Sequence, residues 1–360
     1  MNVAVIGTGN VGVAISADLS IKGHDVTLIK SSETKSEAFD LLRRNNNRVY
    51  LKEDGCYTET RIKDVTKDVC KLEAADVVFI TIQSTYHEQL IKTIGQYLSS
   101  RQVVVIVCSY MASFYISQYC RELPNIAEAT GPYLEGRTEL NDKAGEVVFR
   151  VGCRLTKSPL SVFDENRRSE CMRIIKRLYQ GFCDEYSVIE SALLNPNMVL
   201  HTVGSIMSIP RIEYSKGNFC MYREAYARGN NATMNIMLAL DEEKKSIMKA
   251  LGARPIDIME AGGFLKGKDS FYEYSESSDR AISPTSVRSR YITEDVSQGL
   301  VLLESIADRI GVPCFITTAL IDITIAALNE DLRSKGRTVK TLLATNFIDH
   351  LREKWYGVAQ

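Results

Sequence analysis

The first half of the chain alternates short apolar runs with segments of helical spacing, and this pattern predicts strands separated by helices. The predicted strands lie at residues 3–6, 25–29, 76–82, 102–108 and 146–151. The predicted helices lie at residues 11–21, 86–98 and 167–179. The strands at 76–82 and 102–108 are β-branched without polar alternation, which is typical of strands buried on both faces of a parallel sheet. Strand–helix alternation of this length predicts an α/β domain with a Rossmann-type doubly wound sheet.

From about residue 186 onward the strand signals fade and helical patterns replace them. These predicted helices lie at residues 198–209, 235–251, 300–310 and 316–328. The third ends at Gly311 with Pro313 just beyond, a combination that stops helices. We therefore predict two domains, a Rossmann-type domain over residues 1–185 and a mostly α-helical domain over residues 186–360.

Composition narrows the class of protein without identifying it. A length of 360 residues, with 45% hydrophobic and 25% charged side chains, fits a globular protein of two domains. The net charge of −1 offers no overall field for nucleic acid or an anionic membrane, and no apolar run is long enough for a membrane helix. The first residues lack the pattern of a secretory signal, and the nine scattered cysteines indicate reduced thiols in a cytoplasmic protein. No histidine or cysteine cluster has the spacing of metal ligands, so we expect no metal site.

The segment Gly7-Thr8-Gly9-Asn10-Val11-Gly12 matches the dinucleotide-binding motif GxGxxG directly after a predicted strand and at the start of a predicted helix. Gly7 permits the tight turn, Gly9 lets the backbone approach a pyrophosphate, and Gly12 lets helix and strand pack closely. Asn10 and Val11 open the helix, whose free N–H groups attract an anion. The motif predicts that this domain binds NAD or NADP.

The end of the second strand bears on which dinucleotide is used. NAD sites usually place an Asp or Glu there for the ribose 2′-hydroxyl, whereas this strand runs into Lys30 and Ser31, with no carboxylate before Glu33. A cation followed by hydroxyls suits a 2′-phosphate, so the sequence favours NADP over NAD. The alternative is that Lys30 is simply solvated and either cofactor is accepted.

Few residues are candidates for proton transfer, because the chain has four histidines. His201 lies four residues after Asn197, hence on the same face of one predicted helix. Asp295 precedes the helix at 300–310, where it either caps that helix or pairs with His201 and fixes its tautomer. Arg290 is either a surface residue or an anchor for a substrate carboxylate. His87, at the carboxyl edge of the sheet, is a weaker candidate for the cofactor cleft.

Three segments of the second half resemble the opine dehydrogenases, a family that includes octopine, nopaline and carboxyethyl-norvaline dehydrogenases. They are NPNMVLH at 195–201, RYITEDVSQGLVLLESIADRIGVPCFITTALIDI from residue 290, and LRSKGRTVKTL from residue 332. The resemblance implies reductive condensation of an amino acid with a 2-keto acid, or its reverse, using NAD(P)H. It also implies that His201 is the catalytic acid–base, that Asp295 is its partner, and that Asn197 and Arg290 bind substrate.

Two departures from the family concern substrate and cofactor. Family members often have Pro after the histidine, whereas this chain has Thr202, and Gly204-Ser205 could loosen the helix. Lys30 replaces the acid common in members that use NAD. Two other readings stay open, a ketopantoate reductase-like or 2-hydroxyacid dehydrogenase and a non-catalytic dinucleotide-binding sensor. The substrate pair, the stereochemistry and the oligomeric state, with a homodimer as one option, are not determined by the sequence.

Overall fold

The computed structural model describes residues 1–184, 186–264, 266–277 and 283–350, without the side chains of residues 345, 349 and 350. Chain contacts divide the protein into two compact units, Met1–Ser191 and Ala192–Gln360. The boundary expected from the sequence, at residue 185, falls a few residues before this division. No helix in the described part of the chain is long and apolar enough to cross a membrane.

All the strands of the described residues belong to the first unit. They are β1 Asn2–Ile6, β2 Asp25–Ile29, β3 Arg48–Glu53, β4 Cys56–Arg61, β5 Asp64–Thr66, β6 Val77–Ile80, β7 Val103–Val107, β8 Asn125–Ala129, β9 Leu134–Asn141, β10 Glu146–Arg154, β11 Ser158–Val162 and β12 Phe182–Asp184. The helices of this unit are α1 Asn10–Ile21, α2 Glu37–Arg44, α3 His87–Ile94, α4 Ser113–Tyr119, α5 Arg168–Ile175 and α6 Val188–Leu193, the last of which runs two residues past the division.

The main sheet has the strand order β5-β2-β1-β6-β7-β8-β11-β12. The strands from β5 to β8 are parallel, whereas β11 runs antiparallel to β8. Ile6 lies in register between Ile29 and Ile80, and Ile80 lies beside Ile106. The loops after these four strands therefore share one edge of the sheet, where open α/β sheets bind their ligands. The predicted Rossmann-type doubly wound sheet is confirmed.

A second sheet, of order β4-β3-β10-β9, does not follow from the sequence pattern. The strand predicted at 146–151 exists as part of β10, but it belongs to this second sheet. Along β9 the side chains after Leu134 are mostly exposed, and β4 buries no side chain. Strands exposed in this way lack the apolar runs by which the others are found.

The regular elements of the second unit are all helices in its described residues. After α6 its helices are α7 Asn197–Met207, α8 Ile209–Ser215, α9 Met221–Tyr226, α10 Asn231–Ala250, α11 Ile258–Ala261, α12 Lys268–Ser277, α13 Arg290–Glu294, α14 Val301–Ile310, α15 Phe315–Leu328, α16 Leu332–Lys335 and α17 Thr345–His350. Gly311 ends α14 with φ +72°, as its sequence predicts. A π-helical segment, Asp295–Leu300, joins α13 to α14, so one continuous helical rod runs from residue 290 to residue 310.

Candidate functional site

The GxGxxG segment forms the turn between β1 and α1. Gly7 has φ +119°, a conformation that L side chains rarely adopt. Gly12 packs against this turn so closely that a Cβ atom there would overlap the carbonyl oxygen of Gly7. A Cβ atom on Gly9 would meet no atom of the described residues within 4 Å. The turn is therefore tightly packed at Gly12 and open at Gly9.

The open space at Gly9 lies at the N-terminus of the twelve-residue helix α1. Gly9 is the N-cap residue of this helix and has no side chain with which to cap it. An anion such as a pyrophosphate fits there, because the first N–H groups of a helix lack partners within it. Asn10 points its side chain elsewhere, since its Oδ1 accepts the backbone N–H of Thr138 at 2.8 Å. Val11 packs against the hydrophobic core of the unit.

Lys30 lies at the end of β2 and is 6% exposed, so the alternative of a solvated Lys30 is wrong. Its ammonium donates to the carbonyl of Ser32 and lies 5.9 Å from the ring centre of Phe39. Arg43 approaches the same ring, also at 5.9 Å. Glu33 pairs with Lys67 at 2.6 Å, and this cation holds the pKa of the exposed Glu33 carboxyl below its ordinary value. Ser31 is exposed.

The loop after β7 is held by Glu128, a buried carboxylate on β8. It accepts the hydroxyl of Ser109 and the backbone N–H groups of Met111 and Ser113, the latter two at 3.2 and 2.8 Å. Three non-glycine residues of the loop have left-handed φ angles, namely Cys108, Tyr110 and Met111. Such conformations cost about 1–3 kcal/mol each and persist only where other contacts enforce them. The sequence analysis did not single out this loop.

His87 is the first residue of α3 and is completely buried, with Nε2 3.3 Å from the carbonyl oxygen of Ile82. At least one ring nitrogen is therefore engaged by the backbone of its own loop. His24, in the turn between α1 and β2, has its pKa lowered by partial burial. Neither geometry indicates a catalytic histidine.

In the second unit, His201 on α7 and Asp295 of the π-helical segment meet across 94 residues of sequence. His201 Nδ1 lies 2.9 Å from Asp295 Oδ2, and the two residues are only 4% and 2% exposed. Asp295 lies inside the helical rod, so the reading of Asp295 as a helix cap is wrong. Of the two roles that the sequence allows for Asp295, the structure shows the pair with His201.

Tyr291 stacks on the imidazole ring of His201. The ring centres are 3.7 Å apart and the planes differ by 5°, while Tyr222 approaches the imidazole edge-on at 6.4 Å. Arg290, whose side chain is 48% exposed, has its guanidinium carbon 5.7 Å from the Tyr291 ring centre. Arg290 also lies 3.5 Å from the buried Glu294. Tyr291 is adjacent to a residue that the sequence analysis named, but its stacking partner could not be read from the chain.

The π-helical segment carries Asp295 and is fixed from outside the rod. π-helical turns are rare and occur frequently at functional sites, because the extra residue changes where side chains point. The carbonyl oxygen of Ser297 accepts the backbone N–H of the buried Arg337 at 2.9 Å, and the Ser297 hydroxyl donates to Thr293. The segment that follows α15 therefore braces the turn that presents Asp295.

Helix α7 is uninterrupted from Asn197 to Met207, so Gly204 does not break it. The Tyr226 hydroxyl donates to the Leu200 carbonyl at 2.7 Å, and a Cβ atom on Gly204 would come within 3.0 Å of that hydroxyl oxygen. Burial raises the pKa of Tyr226. Asn197 begins the helix, partly buried, one turn before His201, and its N–H donates to Asn195.

Comparisons with known proteins agree with this division into two units. The family model for the α-helical domain of NAD/NADP octopine/nopaline dehydrogenase matches residues 185–328. An opine dehydrogenase from Arthrobacter sp. (strain 1C) is 22% identical over 350 residues, and a vitopine synthase from Allorhizobium ampelinum is 22% identical over 360, each covering 94% of both chains. The helical unit thus matches the octopine/nopaline dehydrogenase family, and the chain is similar to opine dehydrogenases over nearly its whole length. The protein is an NAD(P)-dependent oxidoreductase that acts on a CH–NH group.

Solved structures agree at the level of the fold. An octopine dehydrogenase with NADH and L-arginine has a TM-score of 0.73 at 18% identity and covers 98% of this chain and 97% of its own. A yersinopine dehydrogenase with NADP⁺ has a TM-score of 0.71 at 10% identity, covering 99% and 98%. The ketopantoate reductase model matches residues 3–108 alone, so that alternative describes only a relative of the nucleotide-binding part.

Proposed function

We propose that this oxidoreductase condenses an amino acid with a 2-keto acid at a site where His201 is the general acid–base and Asp295 orients it. The observation that carries the proposal is the buried contact between His201 Nδ1 and Asp295 Oδ2 at 2.9 Å. A carboxylate at one ring nitrogen fixes the tautomer, because Nδ1–H donates to it, and Nε2 is then the atom that would exchange a proton with substrate. A histidine held in this way can act as a positioned general acid–base for proton exchange at an imine or carbinolamine.

In the reductive direction, the imidazolium of His201 gives its Nε2 proton to the carbinolamine oxygen or to the nitrogen. Asp295 stabilises the positive charge while the proton is on the ring. In the oxidative direction, neutral His201 takes the proton back. We propose that the half-exposed Arg290 binds a substrate carboxylate, since guanidinium matches carboxylate geometry, and that Asn197 provides a further polar contact.

The cofactor would be held by the turn of Gly7, Gly9 and Gly12 and the first N–H groups of α1, among them those of Asn10 and Val11. Bound there, a nicotinamide dinucleotide supplies the hydride for the reduction. The open space beside Gly9 supports this assignment. The residues of the chain would orient the two substrates and transfer the proton.

We also propose that NADPH is preferred over NADH. Lys30 and Arg43 both lie beside Phe39 near the end of β2, and the nearby acid Glu33 is engaged by Lys67. Lys30 has three N–H donors, of which the Ser32 carbonyl accepts one. Lys30 and Ser31 would then face the 2′-phosphate. The homodimer and the cytoplasmic location stay predictions.

The reaction is tested by following oxidation of NADPH and NADH with a panel of amino acids, each with pyruvate or 2-oxoglutarate. We expect oxidation to require both an amino acid and a keto acid, because the carbinolamine forms from the two together. Each keto acid alone is the control. Oxidation with a keto acid alone would contradict the proposal and indicate a hydroxyacid dehydrogenase.

Replacing Lys30 with methionine tests the cofactor preference. The substitution keeps the buried stem and removes the charge, so kcat/KM with NADPH should fall about tenfold or more while kcat/KM with NADH stays unchanged. Lys35→Met is the matched control, because Lys35 carries the same charge in the same loop but is exposed and pairs with Glu37. An equal loss with both cofactors, or the same loss in the control, would remove Lys30 from the proposed 2′-phosphate site.

A further inference from the structure

The aromatic ring of Tyr291 stacks on His201 and gives the imidazole a second contact besides its hydrogen bond to Asp295. The hydrogen bond at Nδ1 holds one edge of the imidazole ring, and it makes no contact with the face of the ring. The parallel Tyr291 ring, 3.7 Å away and tilted by 5°, covers one whole face of the imidazole. Tyr222 limits the ring from its edge at 6.4 Å. Together these contacts define the imidazole plane and hence the direction of Nε2.

We propose that Tyr291 is a positioning residue that holds the His201 ring by stacking and favours its protonated form. The inference rests on the proposed role of His201 as the acid–base. Protonation turns the imidazole into a cation lying on an aromatic face, and the ring quadrupole of Tyr291 attracts that cation. Neutral imidazole gains no such attraction, so the ring acts selectively on one protonation state. Tyr291 thereby adds to the stabilisation that Asp295 provides through Nδ1.

Other ionisable groups around His201 must be separated from this effect. Asp295 contacts the ring from the π-helical segment and Tyr222 from α9. Arg290 and Glu294 lie on the same helical rod as Tyr291, 3.5 Å from each other, and Arg290 lies against the Tyr291 ring. The other helices packed on α7 carry further ionisable groups, among them the pairs Asp241 with Lys244, Arg211 with Glu224, and Asp322 with Arg333. Variants at Tyr291 remove none of these charges, although Tyr291→Leu also removes the ring contact of Arg290.

The decisive comparison is between Tyr291→Phe and Tyr291→Leu. Phenylalanine keeps the aromatic face and removes only the hydroxyl. Leucine keeps an apolar cover, so the burial of His201 changes little, but it removes the quadrupole. Tyr291→Ala would expose the imidazole of His201, and exposure by itself makes an imidazole easier to protonate. Tyr291→Leu avoids this change in exposure, so its effect on protonation reports the loss of the aromatic ring. Pentafluorophenylalanine in place of Tyr291 reverses the quadrupole at nearly constant shape, which keeps the test available should the leucine variant fold poorly.

The titration of His201 is measured by NMR of the imidazole carbon-bound protons, assigned by comparison with His201→Asn. Four histidines in the chain make this assignment practical. We expect Tyr291→Phe to titrate like the wild-type protein. We expect Tyr291→Leu and the fluorinated variant to titrate at a pH lower by about 0.5–1.5 units, as the loss of one desolvated cation–π contact implies. An unchanged midpoint in both would overturn the proposal.

Kinetics give a second readout that a purely structural role would not move. Reduction needs protonated His201, so the alkaline limb of its kcat/KM profile should shift to lower pH in Tyr291→Leu. Oxidation needs neutral His201, so its acid limb should shift in the same direction. A uniform loss of rate with unmoved limbs would contradict the proposal. The NMR titration does not depend on turnover, so it distinguishes failure of this inference from failure of the proposed reaction, which His201→Ala tests.

Discussion

His201→Ala is expected to lower kcat for the condensation by about 10²–10⁴-fold, the range that a positioned general acid–base contributes. The reason is that alanine leaves no group to exchange the proton at the reacting nitrogen or oxygen. Binding of NADPH should be unaffected, because the glycine turn lies in the first unit, Met1–Ser191, and His201 in the second. The measurement is steady-state oxidation of the cofactor, with cofactor binding followed separately by fluorescence.

His24→Ala is the matched control, because it removes another partly buried histidine that lies in the turn between α1 and β2. Asp295→Asn should lower kcat by a smaller factor, since an amide can still contact Nδ1 but does not stabilise the imidazolium. Full activity in His201→Ala would exclude His201 as the acid–base. Loss of cofactor binding in the same variant would mean that its effect is structural and not chemical.

Structural features that depend on residues close together in the sequence could be predicted, whereas features that depend on distant residues could not. Local sequence pattern predicts helix α7 and the glycine turn. It also predicts the β-branched strands β6 and β7, because a strand that is buried on both faces is a continuous apolar run. The second sheet was missed, since strands such as β4 are exposed along their length. Predicted and observed elements therefore agree best where burial is most complete.

The candidate site shows the same limit. Motifs in the sequence indicate four site residues, His201, Asp295, Asn197 and Arg290. The 2.9 Å contact between His201 and Asp295 joins positions 94 residues apart, and no local pattern encodes such a contact. The π-helical segment Asp295–Leu300 does not follow from the sequence either, since the helical pattern predicts a helix only from residue 300 onward. It depends on contacts from far along the chain, such as the N–H of Arg337 at the carbonyl of Ser297. The sequence places Lys30 at the end of a predicted strand, but it does not show that this side chain is buried beside Phe39, which lies on the next helix.

The glycine turn supports a second large effect, in which two similar substitutions should fail in different ways. In Gly12→Ala the new Cβ atom would overlap the carbonyl oxygen of Gly7, so backbone must move at the junction of β1 and α1. Overpacking of this kind typically costs about 1–3 kcal/mol or more, and each kcal/mol lowers the Tm of a unit this size by roughly 2–4 °C. We expect a lower Tm and lost cofactor binding together.

Gly9→Ala should leave the Tm unchanged, because its Cβ atom meets nothing within 4 Å in the part of the chain that the structure describes and the backbone angles of Gly9 suit alanine. That open space is where we propose that a pyrophosphate approaches the backbone, so the methyl group should weaken NADPH binding by about tenfold or more. Thermal melting and cofactor titration of both variants separate the two effects. Normal cofactor affinity in Gly9→Ala would show that the dinucleotide does not bind against this residue. A Gly12→Ala protein with an unchanged Tm and normal NADPH binding would contradict the prediction, because it would show that the turn accommodates a Cβ atom at residue 12.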